Sequence, residues 1–230
     1  MKLPFDKIYC LQLAENKDRY NENQKQFASV GILDQVEYWW TCRRSFANDC
    51  ASVCPNMISG FYDMIALQNP NTYGSVFNCA IEHYTIIKQS LLRGFEHILI
   101  FEDDISFNVN EEQFDIAMSN LPENYDLVLF QNNHRLEHCT DTFYPISNEL
   151  CANYFQVKTP SDKWPQKGTM MYAINKRMMK FIIDYFDTRG LSYSDRFLYI
   201  ADRLEYNIYE PFCKIVEPKG YSSINEDLYK

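Results

Sequence analysis

Short runs of consecutive apolar residues alternate along this chain with longer stretches whose apolar positions recur every three or four residues. Residues 8–13 (Ile-Tyr-Cys-Leu-Gln-Leu) read as a strand, and residues 17–30 as a mostly polar helix stopped by Gly31. Residues 36–40 (Val-Glu-Tyr-Trp-Trp) predict the next strand. Residues 41–74 contain Pro55, Gly60, Pro70 and Gly74, so loops with short helical pieces are expected there. A loop region this long in a compact domain often faces a substrate.

The clearest helical pattern runs from Cys79 to Arg93. Ile81, Tyr84, Ile87 and Leu91 share one face, Asn78 or Ser75 is placed to cap the start, Glu82 falls in the first turn, and Gly94 ends it. Residues 98–101 (Ile-Leu-Ile-Phe) then form four apolar positions in a row, the signature of a strand buried on both faces. Residues 127–130 repeat that character. Residues 170–174 predict a further strand, with Asn175 capping a helix to Arg189 and Gly190 stopping it. Residues 195–206 read as helical and residues 213–216 as the last strand. The alternation predicts an α/β fold with a mixed, mainly parallel sheet. No internal repeat or low-complexity linker interrupts it, so one domain over residues 1–230 is expected, within the usual range for a single core.

Composition narrows the function. With 46% hydrophobic and 23% charged residues the chain is globular rather than disordered. Acidic residues outnumber basic ones 31 to 22, for a net charge of −9 and no basic run, which excludes a surface built for nucleic acid. Aromatic residues make up 16%, including 17 Tyr and 16 Phe, which serves either a ring-stacking surface or an aromatic core. The N-terminus has no apolar stretch before a cleavage site, and no run approaches 18 apolar residues. A cytoplasmic chain without a transmembrane segment is therefore expected, peripheral membrane contact being compatible with it. The eight cysteines form no CxxC pair, so buried, reduced thiols are expected rather than a zinc site or a disulfide framework.

The most informative segment is Glu102-Asp103-Asp104, three carboxylates that directly follow the apolar strand 98–101. Strand alternation would place Glu102 and Asp104 on one face and Asp103 on the other, unless the chain turns there. Adjacent carboxylates repel one another. A divalent cation removes that penalty, and hard oxygen donors suit Mn²⁺ or Mg²⁺. The carboxyl ends of strands are also where open α/β sheets bind ligands. The competing reading is a solvated acidic turn without a metal.

Residues 74–83 (Gly-Ser-Val-Phe-Asn-Cys-Ala-Ile-Glu-His), a helix, Gly94 and the run from Ile98 to Asp104 together resemble the central signature of glycosyltransferase family 25. That family includes lipopolysaccharide glycosyltransferases and collagen galactosyltransferases. The opening strand with Asp18-Arg19 is similar to the family's first strand and Asp-Arg pair. Residues 168–174 resemble its Gly-Thr…Tyr strand, and residues 194–198 its Asp-containing helix start. Two positions depart from the pattern: Glu82 stands where Ser is usual before His83, and Asn78 where Gly is common. No His follows His138, so a late His ligand to the metal is missing.

The resemblance implies an A-type glycosyltransferase (Rossmann-like) fold, with a nucleotide-sugar half at about 1–110, an acceptor half at about 111–218 and a short tail at 219–230. It implies transfer of a hexose, galactose or glucose, from a UDP-sugar to a glycan or other hydroxyl acceptor with inversion, in surface-glycan or lipopolysaccharide-like synthesis. Glu102 and Asp104 would hold Mn²⁺ or Mg²⁺, and Asp195 would be the general base that takes the acceptor proton. Leu13, Arg19, His83, Asp103 and Thr169 would contact the nucleotide-sugar. The departures keep a second class open, a non-catalytic nucleotide-sugar or glycan-binding module on the same fold. A phosphotransferase of the aspartyl-phosphate type is disfavoured, because no nucleophile follows the first strand.

Overall fold

A computed structural model describes residues 2–41, 70–131, 147–157, 169–189 and 206–219, with side chains from residue 79 onward in the second stretch. Strand β1 (Lys7–Leu13) leads into α1 (Lys17–Ser29), then β2 (Val36–Thr41). Helix α2 (Pro70–Leu92) precedes β3 (His97–Phe101), β4 (Ile105–Phe107), α3 (Glu111–Ser119) and β5 (Leu127–Leu129). The short α4 (Asn148–Ala152) and β6 (Tyr154–Gln156) follow, then β7 (Met171–Asn175), α5 (Lys176–Arg189), β8 (Ile208–Pro211) and β9 (Val216–Pro218).

Seven strands form one sheet in the order β2-β1-β3-β7-β5-β8-β6. Strand β1 pairs parallel with β2 and β3, and β5 parallel with β8, while β7 runs antiparallel between β3 and β5 and β6 antiparallel at the far edge. Five of the seven strands thus share one direction, as the buried apolar runs predicted. Strands β4 and β9 form a separate antiparallel pair.

Every residue of β3 after His97 is fully buried, because both faces of the sheet are covered. Ile98 and Ile100 pack with Tyr172, Ile182 and Phe186 on the side of α2 and α5. Leu99 and Phe101 pack with Phe27, Phe114 and Met118 on the side of α1 and α3. Each buried aliphatic side chain contributes about 2–3 kcal/mol, so the strand that ends at the acidic triplet is firmly anchored. Most aromatic rings among the described residues belong to this core. Trp40, 52% exposed at the sheet edge beside Tyr20 and Tyr38, is the large exception among the described residues.

Helix boundaries bear out two expected stops and one expected start, and correct another start. Gly31 (φ 71°) and Gly94 (φ 78°) take the left-handed conformation after α1 and α2, and Asn175 Oδ1 accepts the Met178 amide at 2.9 Å to cap α5. Helix α2, however, begins at Pro70 rather than at Cys79. Pro suits the first position of a helix, where its missing N–H would be unpaired anyway. Residues 70–74 are therefore helical, Ser75 and Asn78 fall within the helix rather than at its start, and Glu82 lies mid-helix rather than in the first turn. The last strand is also shifted, since Cys213 and Ile215 lie in the connector before β9. Residues 42–69 and 190–205, including Asp195 and nearly all of the helix expected at 195–206, are outside the described residues, as is Gly168.

Gly31 offers a direct test of the α1 stop. A Cβ there would press on the Glu111 side chain, whereas one at Gly94 meets open space. Ala at either position pays about 1–2 kcal/mol for left-handed backbone. Thermal melts should therefore show Gly31→Ala lowered by several degrees, and by more than Gly94→Ala. Equal melting temperatures would remove the Glu111 contact from the account.

Candidate functional site

The parallel pairing of β1 with β3 brings Leu13 and the residues after Phe101 to the same sheet edge. The antiparallel β7 enters at that edge, and the Glu102 amide donates to Met170 O at 2.9 Å, which sets Thr169 beside Glu102. Helix α2 contributes from one face, with His83 nine residues before its end, roughly 14 Å along the axis. Four separate elements therefore converge on one acidic turn.

Strand β3 ends at Phe101 and the chain turns at Asp103-Asp104. The expected alternation of Glu102 and Asp104 on one face does not hold, because a turn, not a strand, carries them. Each carboxylate has its own surroundings.

Glu102 faces α2 and β7. Its Oε1 accepts from Thr169 Oγ1, lies 3.2 Å from His83 Nε2 and 3.9 Å from Cys79 Sγ. His83 is fully buried, and its Nδ1 lies 2.7 Å from the Tyr172 hydroxyl. That bond is satisfied with the hydroxyl donating to Nδ1, which turns Nε2–H toward Glu102. Burial opposes ionisation of Glu102, but the bonds from His83 and Thr169 outweigh it and hold the carboxyl below its usual range. Cys79, His83 and Glu102 bring their ligand atoms within 4.8 Å of one another.

Asp103 faces β1 and α1. Oδ1 accepts from Arg19 Nη1 at 2.7 Å, and Oδ2 accepts from the Leu13 amide at 3.3 Å and from Gln12 Nε2 at 3.2 Å. Asn23 Nδ2 donates to Asp103 O at 3.0 Å and to Gln12 Oε1 at 3.2 Å, so the turn is tied down from its backbone as well. Burial raises the Asp103 carboxyl despite Arg19.

Asp104 is the outlier. Its Oδ1 is buried with no hydrogen-bond partner among the described residues. Burial, together with the charges of Glu102 and Asp103, pushes its carboxyl up to about 7. An orphaned carboxylate oxygen beside two more carboxylates is an arrangement short of positive charge, and hard oxygen donors of this kind fit Mn²⁺ or Mg²⁺. Among the described residues, Arg19 and Lys219 place positive charge near Asp104, and the Lys219 amide donates to Asp104 O at 2.8 Å. Burial lowers the Lys219 ammonium pKa.

The structure thus gathers Leu13, Arg19, His83, Glu102, Asp103, Asp104 and Thr169 at one edge, while Asp195 lies outside the described residues. It adds Lys219, which the sequence reading left in the tail, and Gln12 and Asn23 as supports, while Tyr172 of the Gly-Thr…Tyr strand supports His83. A single Lys after Pro218 carries no motif; only the pairing of β9 with β4 brings it to the turn. Glu82, the departure from the Ser-His pattern, accepts from Trp39 Nε1 at 2.7 Å and Thr41 Oγ1 at 2.9 Å. Its carboxylate joins α2 to β2.

The family described as glycosyltransferase family 25 (LPS biosynthesis protein) matches residues 62–198. The chain is 28% identical over 116 residues to human inactive glycosyltransferase 25 family member 3, covering 47% of this chain and 18% of that protein. It is 27% identical over 129 residues to human procollagen galactosyltransferase 2, covering 54% and 19%. The chain therefore spans about a fifth of the length of these curated relatives. Among solved structures, a glycosyltransferase involved in glycosylation of the major capsid of PBCV-1 aligns over 96% of both chains with a TM-score of 0.46 and 9% identity. Mouse xyloside xylosyltransferase 1 aligns over 88% of this chain and 83% of its own, with a TM-score of 0.42 and 9% identity.

Proposed function

The chain belongs to glycosyltransferase family 25, and from that we propose that it transfers a hexose from a UDP-sugar to a hydroxyl acceptor with inversion, in surface-glycan synthesis, with Mn²⁺ or Mg²⁺ held by Glu102 and Asp104. The observation that carries this reading is the buried, unpaired Asp104 oxygen in a turn that three carboxylates share. When bound, the cation supplies Lewis-acid stabilisation to the diphosphate that leaves as the sugar bond breaks.

The chain's own residues do the rest. Asp103 fixes Arg19 at the end of β1, where the guanidinium meets the anionic donor alongside Lys219. Leu13 and Asp103 line the place where ribose hydroxyls reach the sheet edge. Thr169 and His83 hold Glu102 as an ionised acceptor, with Tyr172 orienting the His83 ring. Asp195 takes the proton from the acceptor hydroxyl as the new bond forms. The altered residue at Glu82 does not weaken this reading, because its carboxylate serves the contact between α2 and β2.

A thermal-shift screen of UDP-sugars with and without Mn²⁺ tests the proposal. The expected outcome is metal-dependent stabilisation by one UDP-hexose, about 3 kcal/mol when the ligand stands at a hundred times its Kd. No stabilisation by any nucleotide-sugar in Mn²⁺ would reject it. Asp195→Asn should keep donor binding and lose UDP release in the presence of acceptor. Full transfer by that variant would take Asp195 out of the base role. Donor binding with no transfer by the wild-type chain to any glycan would favour the binding-module reading instead.

A further inference from the structure

The four described cysteines carry thiols, but two of them are not isolated from each other. Cys213 Sγ donates to Cys151 Sγ at 3.0 Å across 62 residues of sequence, and both side chains are buried. Cys151 lies in the five-residue helix α4, and Cys213 in the connector from β8 to β9. A backbone bond fixes the same juncture, the Phe212 amide donating to Asn153 O at 2.9 Å. The two sulfurs therefore need to close by only about 1 Å to reach a bonded S–S separation, and the backbone on either side is already docked.

We propose that Cys151 and Cys213 are a disulfide-forming pair, oxidised by a low-molecular-weight disulfide and reopened by thiols. In the first step the Cys151 thiolate attacks one sulfur of the reagent, forming a mixed disulfide and releasing one thiol. In the second the Cys213 thiolate attacks the Cys151 sulfur, forming the protein disulfide and releasing the second thiol. The protein loses two protons and two electrons, and the reagent gains them. The hydrogen bond from Cys213 lowers the Cys151 pKa and raises that of Cys213, which matches this order of attack. Local opening of the short α4 admits the reagent to the buried pair.

The link has a consequence for the site. The connector that holds Cys213 leads directly into β9, which pairs with β4 just after the acidic turn, and Lys219 at its end donates to Asp104. Closing the disulfide ties α4 to that strap and encloses β6, β7, α5 and β8 in one covalent loop.

Peptide mapping of the native full-length chain tests the pair without any substitution. The chain is incubated with oxidised glutathione, remaining thiols are blocked with N-ethylmaleimide, and the protein is digested with trypsin and a glutamyl protease. Cleavage after Glu149 separates Cys151 from Cys139, which otherwise share a tryptic peptide. The expected product joins the Cys151 and Cys213 peptides with loss of two hydrogens, disappears on reduction, and accompanies a melting temperature higher by about 5–15 °C. Alkylation of both thiols after oxidation would overturn the proposal. So would separate glutathione adducts, other cysteine pairings, or a link that forms only in urea.

Discussion

Replacing Asp104 by Asn is expected to lower metal-dependent transfer from a UDP-sugar about a hundred- to a thousandfold, while the metal-free protein melts at a higher temperature than the wild type at pH 8. The two effects have one cause. Asp104 has a buried, unpaired oxygen and two like charges nearby, and burial together with those charges raises its carboxyl from 3.8 to about 7. The folded chain thus binds a proton more tightly than the unfolded one. Its contribution to stability is complete below about pH 4, declines as pH rises, and is lost above about pH 7. At pH 8 the metal-free wild type holds a buried, uncompensated charge that Asn lacks. At pH 5 the two proteins should melt much closer together. Saturating Mn²⁺ should stabilise the wild type at pH 8 and leave Asp104→Asn nearly unmoved, because the ion offsets a buried negative charge that the Asn side chain does not carry. An Asn variant with full activity, or one that melts lower at pH 8 without metal, would remove Asp104 from the cation site.

The sheet could be read from the chain because its strands are buried on both faces and so appear as unbroken apolar runs. Ile98-Leu99-Ile100-Phe101 has no other stable home than the middle of a covered sheet. Helix stops at Gly31 and Gly94 were equally plain, since both need left-handed backbone. The start of α2 was misread for a physical reason. Pro70 and Gly74 resemble breakers, yet Pro at a first helical position sacrifices no hydrogen bond, and the packing of a 23-residue helix tolerates one Gly. The misplaced last strand has a similar origin. Cys213 and Ile215 are buried by long-range contacts, to Cys151 and through the Ile215 amide to Phe130 O, rather than by pairing in a ladder.

The site was legible as a composition and not as a geometry. Three carboxylates at a strand end pointed to the right edge of the sheet, and the family pattern added Arg19, His83 and Thr169. What no local pattern holds is the division of labour among the three acids. That division depends on a turn one residue after β3 and on which elements the topology brings alongside. Glu102 meets α2 and β7, Asp103 meets β1 and α1, and Asp104 meets the strap from β9. Partners 19 to 115 residues away decide what each carboxylate does.

Asp103→Ala is expected to destabilise the fold by about 3–5 kcal/mol, lowering the melting temperature by roughly 10 °C. Asp103 accepts from Arg19, from the Leu13 amide and from Gln12, and the Arg19 side chain is only 18% exposed. Removing the carboxylate takes the ion-pair partner from a partly buried guanidinium and an acceptor from a backbone N–H at once, whereas a surface ion pair would cost less than about 1 kcal/mol. Asp103→Asn keeps an acceptor for the Leu13 amide and should lose about half as much. If the Arg19 pair is the main contribution, Arg19→Ala combined with Asp103→Ala should cost less than the two single losses added together, with a coupling of about 1–3 kcal/mol. Donor affinity separates the two duties assigned to this residue. A purely ribose-binding Asp103 would raise KM on replacement and leave the melting temperature where it was. The hydrogen bonds to Gln12, Leu13 and Arg19 require both to move, because the same side chain that faces the donor also joins β1 and α1 to the acidic turn.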